Sequence, residues 1–394
     1  MKVKFVVMVV IGTAVFLLLG WADWSWRLRH TKHPHRAPDP KREKTGGGDF
    51  FRAKIYTEKT KSSAPGRVRD YGNGTYGVTF RLPWAGDVTV SVRMVHSSSA
   101  VRVLKRLREE FPTNRTKRDL TAINSIIKVK KGTISTILVG HQDGDRTEQL
   151  PRCMPGLPAP VPSGYYRNGR WVSRVCQGPR LTNASDWKKC LQNSALDFLG
   201  DSTTRQWFYY TAKYMQMAVR NSPYFLSATA GPIYAEEKQW NITSRYQSHG
   251  PPINTFLWVN ASILSNLVRI IDEIDEPNHI VVVTVGFHFN SHPLVDYVRR
   301  VRTVRSALLR LLRRQQNTTL VIKPTNTAAS HILNVDDWFS FQMYLIIKEM
   351  FSGLPVVFVD TWEMTDCQFP KDTTHPADEV IQEEILYLLS YVCQ

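Results

Sequence analysis

The sequence predicts an α/β protein: a parallel sheet flanked by helices, preceded by a small β-sandwich. Three observations carry this. Around residues 76–94 apolar and polar residues alternate with a period of two, the mark of half-buried strands. From Ser194 onward, short apolar runs alternate with helical stretches, the mark of parallel strands joined by helices. Between the two lie prolines at 151, 155, 158, 160 and 162, which forbid regular structure and set a domain boundary.

In chain order, Phe5 to Leu19 is an apolar run preceded by Lys2 and Lys4. It is short for a membrane span and suited to a signal-peptide core, with Gly20 and Ala22 as the small residues of a cleavage site. The alternative is an uncleaved type II anchor, although the positive charges that follow the run do not favour that orientation. Residues 1–22 are therefore read as a signal peptide or signal-anchor. Residues 23–48, basic and aperiodic, are read as a stalk. Residues 49–148 are the β domain. Tyr76, Val78, Phe80 and Leu82 alternate, then Val88, Val90, Val92 and Met94, across a turn at 83–87; these two runs are expected to pair as a hairpin.

Residues 149–394 form the α/β domain. Ser194–Leu199 is an expected strand and Thr203–Val219 a helix. His279–Val285 holds four valines and an isoleucine, as in a strand buried on both faces. Pro293–Arg314 is helical, with Val295, Val298, Val301, Val304, Leu308 and Leu311 on one stripe. Further strands are expected at 320–323 and 355–359, and further helices at 338–351 and 379–392.

The 394 residues carry 51 Lys+Arg against 34 Asp+Glu, a net charge of +17. Such a chain meets polyanions: nucleic acid, anionic lipid or acidic glycan. The compartment chooses among them. Six sequons begin at Asn73, Asn114, Asn183, Asn241, Asn260 and Asn317. Five cysteines, Cys153, Cys176, Cys190, Cys367 and Cys393, suggest two disulfides and one leftover thiol. Both point to the secretory pathway, either secreted or Golgi-lumenal, and demote nucleic acid as a partner. Membrane contact is expected only through an uncleaved N-terminal segment.

Function in an open α/β sheet gathers at the C-terminal ends of the strands. Those ends read Gly200-Asp201-Ser202-Thr203, then Gly286-Phe287-His288, then Asn326, then Asp360. Ser202 follows a small residue where the chain turns out of a strand into a helix, and first-turn N–H groups favour a developing negative charge. Asp372-Thr-Thr-His375 supplies a base with a carboxylate three residues before it. Arg205 stands on the helix face of Ser202, either to bind an acidic substrate or to pair with a carboxylate. His30, His33 and His35 lack a second cluster at ligand spacing, so no metal is expected, and no Gly-rich phosphate loop occurs.

Gly-Asp-Ser after a strand, with Asp-x-x-His-Pro near the C-terminus, resembles the SGNH/GDSL-type hydrolases. A wider set resembles the neurexophilin-and-PC-esterase (NXPE) family: Cys153-x-Pro-Gly, Pro162-Ser-Gly-Tyr-Tyr166, Trp171, Cys176, Gly200-Asp-Ser-Thr-x-Arg-Gln-Trp207 and Val359-Asp-x-Trp-Glu-Met-Thr365. Asp70 to Tyr76 and Trp84-x-Gly86 resemble that family's Ig/filamin-like module, here read with its first strands before Gly48-Asp49 replaced by the stalk. The resemblance implies an acyl group, usually acetyl, moved to or from a sugar hydroxyl. Ser202 is then the nucleophile, His375 the base and Asp372 its orienter. Gly286 and His288 hold the positions of oxyanion donors, His288 standing where the pattern has Asn. No bound cofactor is implied, and an acyl donor such as acetyl-CoA would be a co-substrate. Two functions follow: a serine O-acyltransferase or esterase acting on glycoconjugates, sialylated glycans among them, or a secreted binding protein with a retired site. An intact serine, aspartate and histidine favour the first.

Overall fold

A computed structural model describes residues 2–11, 14–23, 45–110, 130–139, 150–220, 230–253, 264, 266–328, 331–332, 335–368 and 373–394, with backbone alone for 2–11, 14–23, 110, 130–139, 331–332 and 335. The N-terminal half is two facing sheets. Strands β1 (Lys2–Ile11), β2 (Ala14–Asp23), β5 (Arg67–Asp70) and β6 (Thr75–Arg81) form one, in the order β2-β1-β6-β5. The other contains β3 (Phe50–Thr57), β4 (Ser62–Pro65), β7 (Gly86–His96), β8 (Lys130–Val139), β9 (Gly164–Arg167) and β10 (Arg170–Ser173), in the order β10-β9-β4-β3-β7-β8. Alternate residues of both meet in one core: Phe51 and Ile55, Tyr76, Val78 and Phe80, Val90 and Met94.

Three expectations change here. β6 and β7 do not pair as a hairpin; they lie in opposite sheets. Alternation marks a half-buried strand equally well in a hairpin or in an arch between sheets, so the period could not choose. Within the segment read as a leader or anchor, β1 and β2 pair antiparallel, and β1 lies parallel to β6. Val3, Val6, Val7, Val9 and Val10 suit extended backbone. The boundary at 149 is crossed, because β9 pairs with β4 at Tyr166 and Ser63 and so extends the N-terminal sheet. A helix also interrupts the β-like stretch: α1 (Ser98–Glu110) buries Ala100 and Leu104.

The C-terminal half is built on a seven-stranded sheet in the order β12-β13-β14-β11-β15-β16-β19. Its strands are β11 (Ala195–Gly200), β12 (Ala218–Arg220), β13 (Ile233–Glu237), β14 (Ile242–Ser248), β15 (His279–Val283), β16 (Thr319–Ile322) and β19 (Val357–Phe358); β17 (His331–Ile332) and β18 (Val335–Asp336) form a separate ladder. From β14 through β19 all neighbours are parallel, while β12 and β13 form an antiparallel edge. Helices cover both faces. Phe198, Val282 and Val321 point to the side of α2 (Ala184–Cys190), α3 (Ser202–Tyr214) and α8 (Asp378–Val392), against Trp207, Phe208 and Ile385. Leu199, Val281, Val283 and Ile322 point to the side of α4 (Leu267–Asp272), α5 (Leu294–Arg314) and α6 (Asp337–Phe351), against Val301, Leu308 and Ile347. The short α7 (Thr361–Asp366) follows β19. On α5 the buried stripe takes in Tyr297 and leaves Val295 exposed.

The two halves are joined by buried charge. Arg52 of β3 pairs with Asp337 at 2.8 Å and with Asp366. His96 meets Asp336 at 2.6 Å, and Lys54 Nζ donates to the Gln368 carbonyl at 3.1 Å. Arg108 of α1 lies 4.3 Å from the Phe339 ring centroid. Cys153–Cys176 and Cys190–Cys393 are disulfides and Cys367 is a buried thiol, so two bridges and one leftover are found as expected. Asn73, Asn183, Asn241 and Asn317 are exposed; Asn114 and Asn260 lie outside the described residues. Among the described residues no helix is long and apolar enough to cross a membrane.

Candidate active site

β11 delivers the chain to the top of the sheet at Gly200. A β-carbon there would come within 2.5 Å of Thr204 Oγ1 and 2.8 Å of Thr284 Cβ, so only glycine lets the strand turn into α3 against its neighbour. Asp201, buried, caps that helix: Oδ1 accepts from Thr203 N at 2.9 Å and from Thr203 Oγ1 at 2.7 Å. Oδ2 lies 3.4 Å from Phe287 N, which ties the cap to the segment after β15. Ser202 is the first helical residue and not the cap, so its hydroxyl is left for other work.

That hydroxyl meets His375. Ser202 Oγ lies 2.8 Å from His375 Nε2, across 173 positions of sequence. The histidine loop is held from both sides. Asn326, at the end of β16, donates Nδ2–H to the Thr374 carbonyl at 3.0 Å, and Gln206 of α3 donates to the Pro376 carbonyl at 3.2 Å. Thr374 Oγ1 reaches the Ala328 carbonyl at 3.4 Å, and the Ala328 N–H donates to Asp337 at 2.6 Å. Asp337 is the carboxylate that takes Arg52 from the β-sandwich, so one chain of bonds runs from that sheet to the histidine loop. Asp372 lies outside the described residues.

The electrostatics suit a base. His375 is exposed as a whole residue, yet partial burial of its ring lowers its pKa below the ordinary 6.5; Asp201 opposes this and Arg205 and Lys323 add to it. Its imidazole is therefore free to accept a proton at neutral pH. Burial alone would raise the Asp201 pKa, but His288, Lys323, Thr203 and His249 override it and hold the carboxylate ionised. Lys323, fully buried, donates to Thr203 Oγ1 at 2.9 Å and sits 5.6 Å from the Trp207 ring centroid. Trp207 in turn donates to Glu384 at 2.7 Å. A buried lysine and a buried glutamate thus both contact the helix that begins at Ser202.

Gly286 and His288 stand beside this group at the end of β15. A β-carbon on Gly286 would meet Thr325 Cγ2 at 2.5 Å, so packing alone accounts for that glycine. Phe287 to Phe289 form one 3₁₀ turn, which carries His288 to the edge of the site half-exposed, with Nδ1 enclosed. Arg205, on the same helix face as Ser202, has its guanidinium 5.9 Å from the Tyr246 ring centroid. Asp360, another strand-end residue, accepts from Lys348 at 2.7 Å and from Tyr344 at 2.9 Å, and is structural.

Two family descriptions match this chain: NXPE family member 4-like, C-terminal domain, over residues 171–393, and neurexophilin over residues 16–140. The first spans more than half of the sequence and contains Ser202 and His375. The chain belongs to the NXPE family. The NXPE C-terminal domain accounts for the parallel sheet and everything that meets at its strand ends. The neurexophilin match covers β3 to β8 and begins within β2; β1, β9 and β10 of the two facing sheets lie outside it.

Sequence reasoning missed several residues around this NXPE site, among them Lys323, Gln206 and His249. His249 directly follows β14 and is fully buried, with its ring centroid 5.0 Å from that of His288. The signal was present: Ile242, Ser244 and Tyr246 are buried at a period of two, and the run ends at Ser248-His249-Gly250-Pro251-Pro252, a strand end with its stop. Its polar alternation hid it among expected strands that were uniformly apolar.

Proposed function

We propose that this NXPE protein is a serine-dependent O-acyltransferase or esterase of SGNH type, acting on glycoconjugates in the secretory pathway and carrying an Ig/filamin-like module. The observation that carries the reading is the 2.8 Å contact between Ser202 Oγ and His375 Nε2 at the C-terminal ends of a parallel sheet. In the first half-reaction His375 Nε2 takes the Ser202 proton as Oγ attacks the acyl carbonyl. The oxyanion is met by the first turn of α3, by Gly286 and by His288. The tetrahedral species collapses, His375 gives its proton to the departing group, and an acyl-serine remains. In the second, His375 takes a proton from a sugar hydroxyl or from water, which attacks the acyl-serine and regenerates Ser202. Asp372, three residues before His375 in sequence, fixes the imidazole tautomer and stabilises the imidazolium.

The donor is a soluble activated acyl group such as acetyl-CoA, and the acceptor a glycan hydroxyl. Arg205 on the face of Ser202 and the net charge of +17 support an acidic acceptor such as a sialylated chain. Two disulfides and four exposed sequon asparagines support a lumenal or secreted setting. The test is Ser202→Ala, with p-nitrophenyl acetate hydrolysis by the purified glycoprotein and O-acetyl content of cell-surface glycans as readouts. Loss of both with normal secretion supports the mechanism. Full activity in the variant overturns it and leaves the secreted binding protein as the reading.

A further inference from the structure

We propose that His249 is a positioning residue that sets the tautomer of His288, donating an N–H to His288 Nδ1 so that His288 presents Nε2–H to the oxyanion. The inference rests on the reading of His288 as an oxyanion donor and adds what that role demands of its surroundings. A neutral imidazole has one N–H and one bare nitrogen. For His288 to donate from Nε2, its Nδ1 must be bare, and an enclosed bare nitrogen needs a donor of its own.

Among the described residues the candidate is His249. Both ring nitrogens of His249 and Nδ1 of His288 are enclosed without a hydrogen-bond partner among the described residues. The two rings are tilted neighbours, with centroids 5.0 Å apart and an interplanar angle of 57°. At that separation, ring nitrogens turned toward each other would lie about 3 Å apart, within hydrogen-bonding reach. One bond between the rings satisfies two of the three orphaned atoms.

Asp201 does not compete for the task. Its Oδ1 is taken by Thr203 N and Oγ1, and its Oδ2 lies on the Phe287 N–H. The His249 backbone is fixed from two sides: its N–H donates to the Gly200 carbonyl at 3.2 Å, and its carbonyl accepts from Arg300 at 3.3 Å. Arg300 also donates to the Pro251 carbonyl at 2.7 Å. Burial pushes the His249 pKa down to about 3, helped by His288 and Arg300 and opposed by Asp201 and the Gly250 backbone. Burial likewise lowers that of His288, with Asp201 opposing and Arg205 adding. Both rings are therefore neutral, the state in which a tautomer is a choice.

The test is spectroscopic first. In the secreted chain labelled with ¹⁵N-histidine, long-range imidazole spectra report each tautomer, and His288→Gln identifies the His288 signals. The wild type should show His288 as the Nε2–H form. His249→Phe should convert it to a mixture, and His249→Gln, which keeps a side-chain donor, should retain it. With p-nitrophenyl acetate, His249→Phe should lower kcat about tenfold with KM unchanged, less than the about 10²-fold expected from losing an oxyanion donor outright. His249→Gln should recover most of that loss. A wild-type His288 in the Nδ1–H form overturns the proposal without any variant, as does a tautomer unmoved in His249→Phe. Retained activity in Ser202→Ala would sink the serine mechanism while leaving the tautomer result standing, so the two failures are distinct.

Discussion

Ser202 is the first residue of α3, and the cap beside it is Asp201. Ser202→Ala therefore removes a hydroxyl and leaves the cap in place, and its thermal midpoint should stay within about 2 °C of wild type while activity is lost. Asp201→Ala should do the reverse of a clean active-site lesion: it strips the cap, leaves Lys323 buried beside an empty site, and should lower the melting temperature as well as activity. The base predicts a pH profile. Because the His375 pKa lies below 6.5, the acidic limb of kcat/KM for p-nitrophenyl acetate should fall below pH 6.5, and activity should persist in mildly acidic buffer. An acidic limb above pH 7 would show that another group titrates. At this scale the sequence was most legible. Gly-Asp-Ser and Asp-x-x-His each stand where a strand end or a pre-helical loop could be read from local pattern. Asn326 and Gln206 could not be assigned their work of holding the histidine loop, because that depends on which loops come together.

Between elements, α3 and α8 are joined through Trp207 and Glu384. Burial raises the Glu384 pKa to about 7 against the pull of Lys323 and Trp207. A carboxyl raised in the folded state stabilises fully below its unfolded value of 4.5, and that contribution is lost as pH rises through about 7. The difference amounts to about 3 kcal/mol. Because the lowered pKa values of His249 and His288 act in the opposite sense below pH 6.5, the comparison is with Glu384→Gln, whose amide oxygen can still accept from Trp207. Relative to that variant, the wild type should lose stability between pH 4.5 and 7.5 in thermal melts; parallel curves would refute the raised pKa. Between β3 and the helices α6 and α7, Arg52→Met leaves Asp337 and Asp366 buried, with Arg93 only 3.9 Å from the first as partial relief, and should cost about 3 kcal/mol or more. The expected strands at 279–285 and 320–323 and the helix at 293–314 were found because their apolar runs are long and periodic. β12, β13 and β14 went unread because their residues alternate with polar ones and resemble loop.

The whole molecule is closed by Cys190–Cys393, which links α2 to the end of the chain over a separation of 203 residues. Cys393→Ser should destabilise by about 3–5 kcal/mol, seen as a lower midpoint in denaturant and reduced secretion. Peptide mapping without reductant should find Cys367 as the only free thiol. The division into a sandwich and an α/β unit was visible in composition, but their joint was not, since strand pairing between distant segments leaves no local trace. β9 and β10 are C-terminal to the proline-rich segment and yet belong to the N-terminal sheet. A protease that nicks the chain between Met154 and Pro162 should therefore not release the sandwich. The Cys153–Cys176 disulfide spans the cut, and β9 on β4, Arg52 on two aspartates and His96 on Asp336 bridge it as well. Nicked protein should run as two bands in a reducing denaturing gel, as one band without reductant, and as one species in gel filtration that keeps its activity.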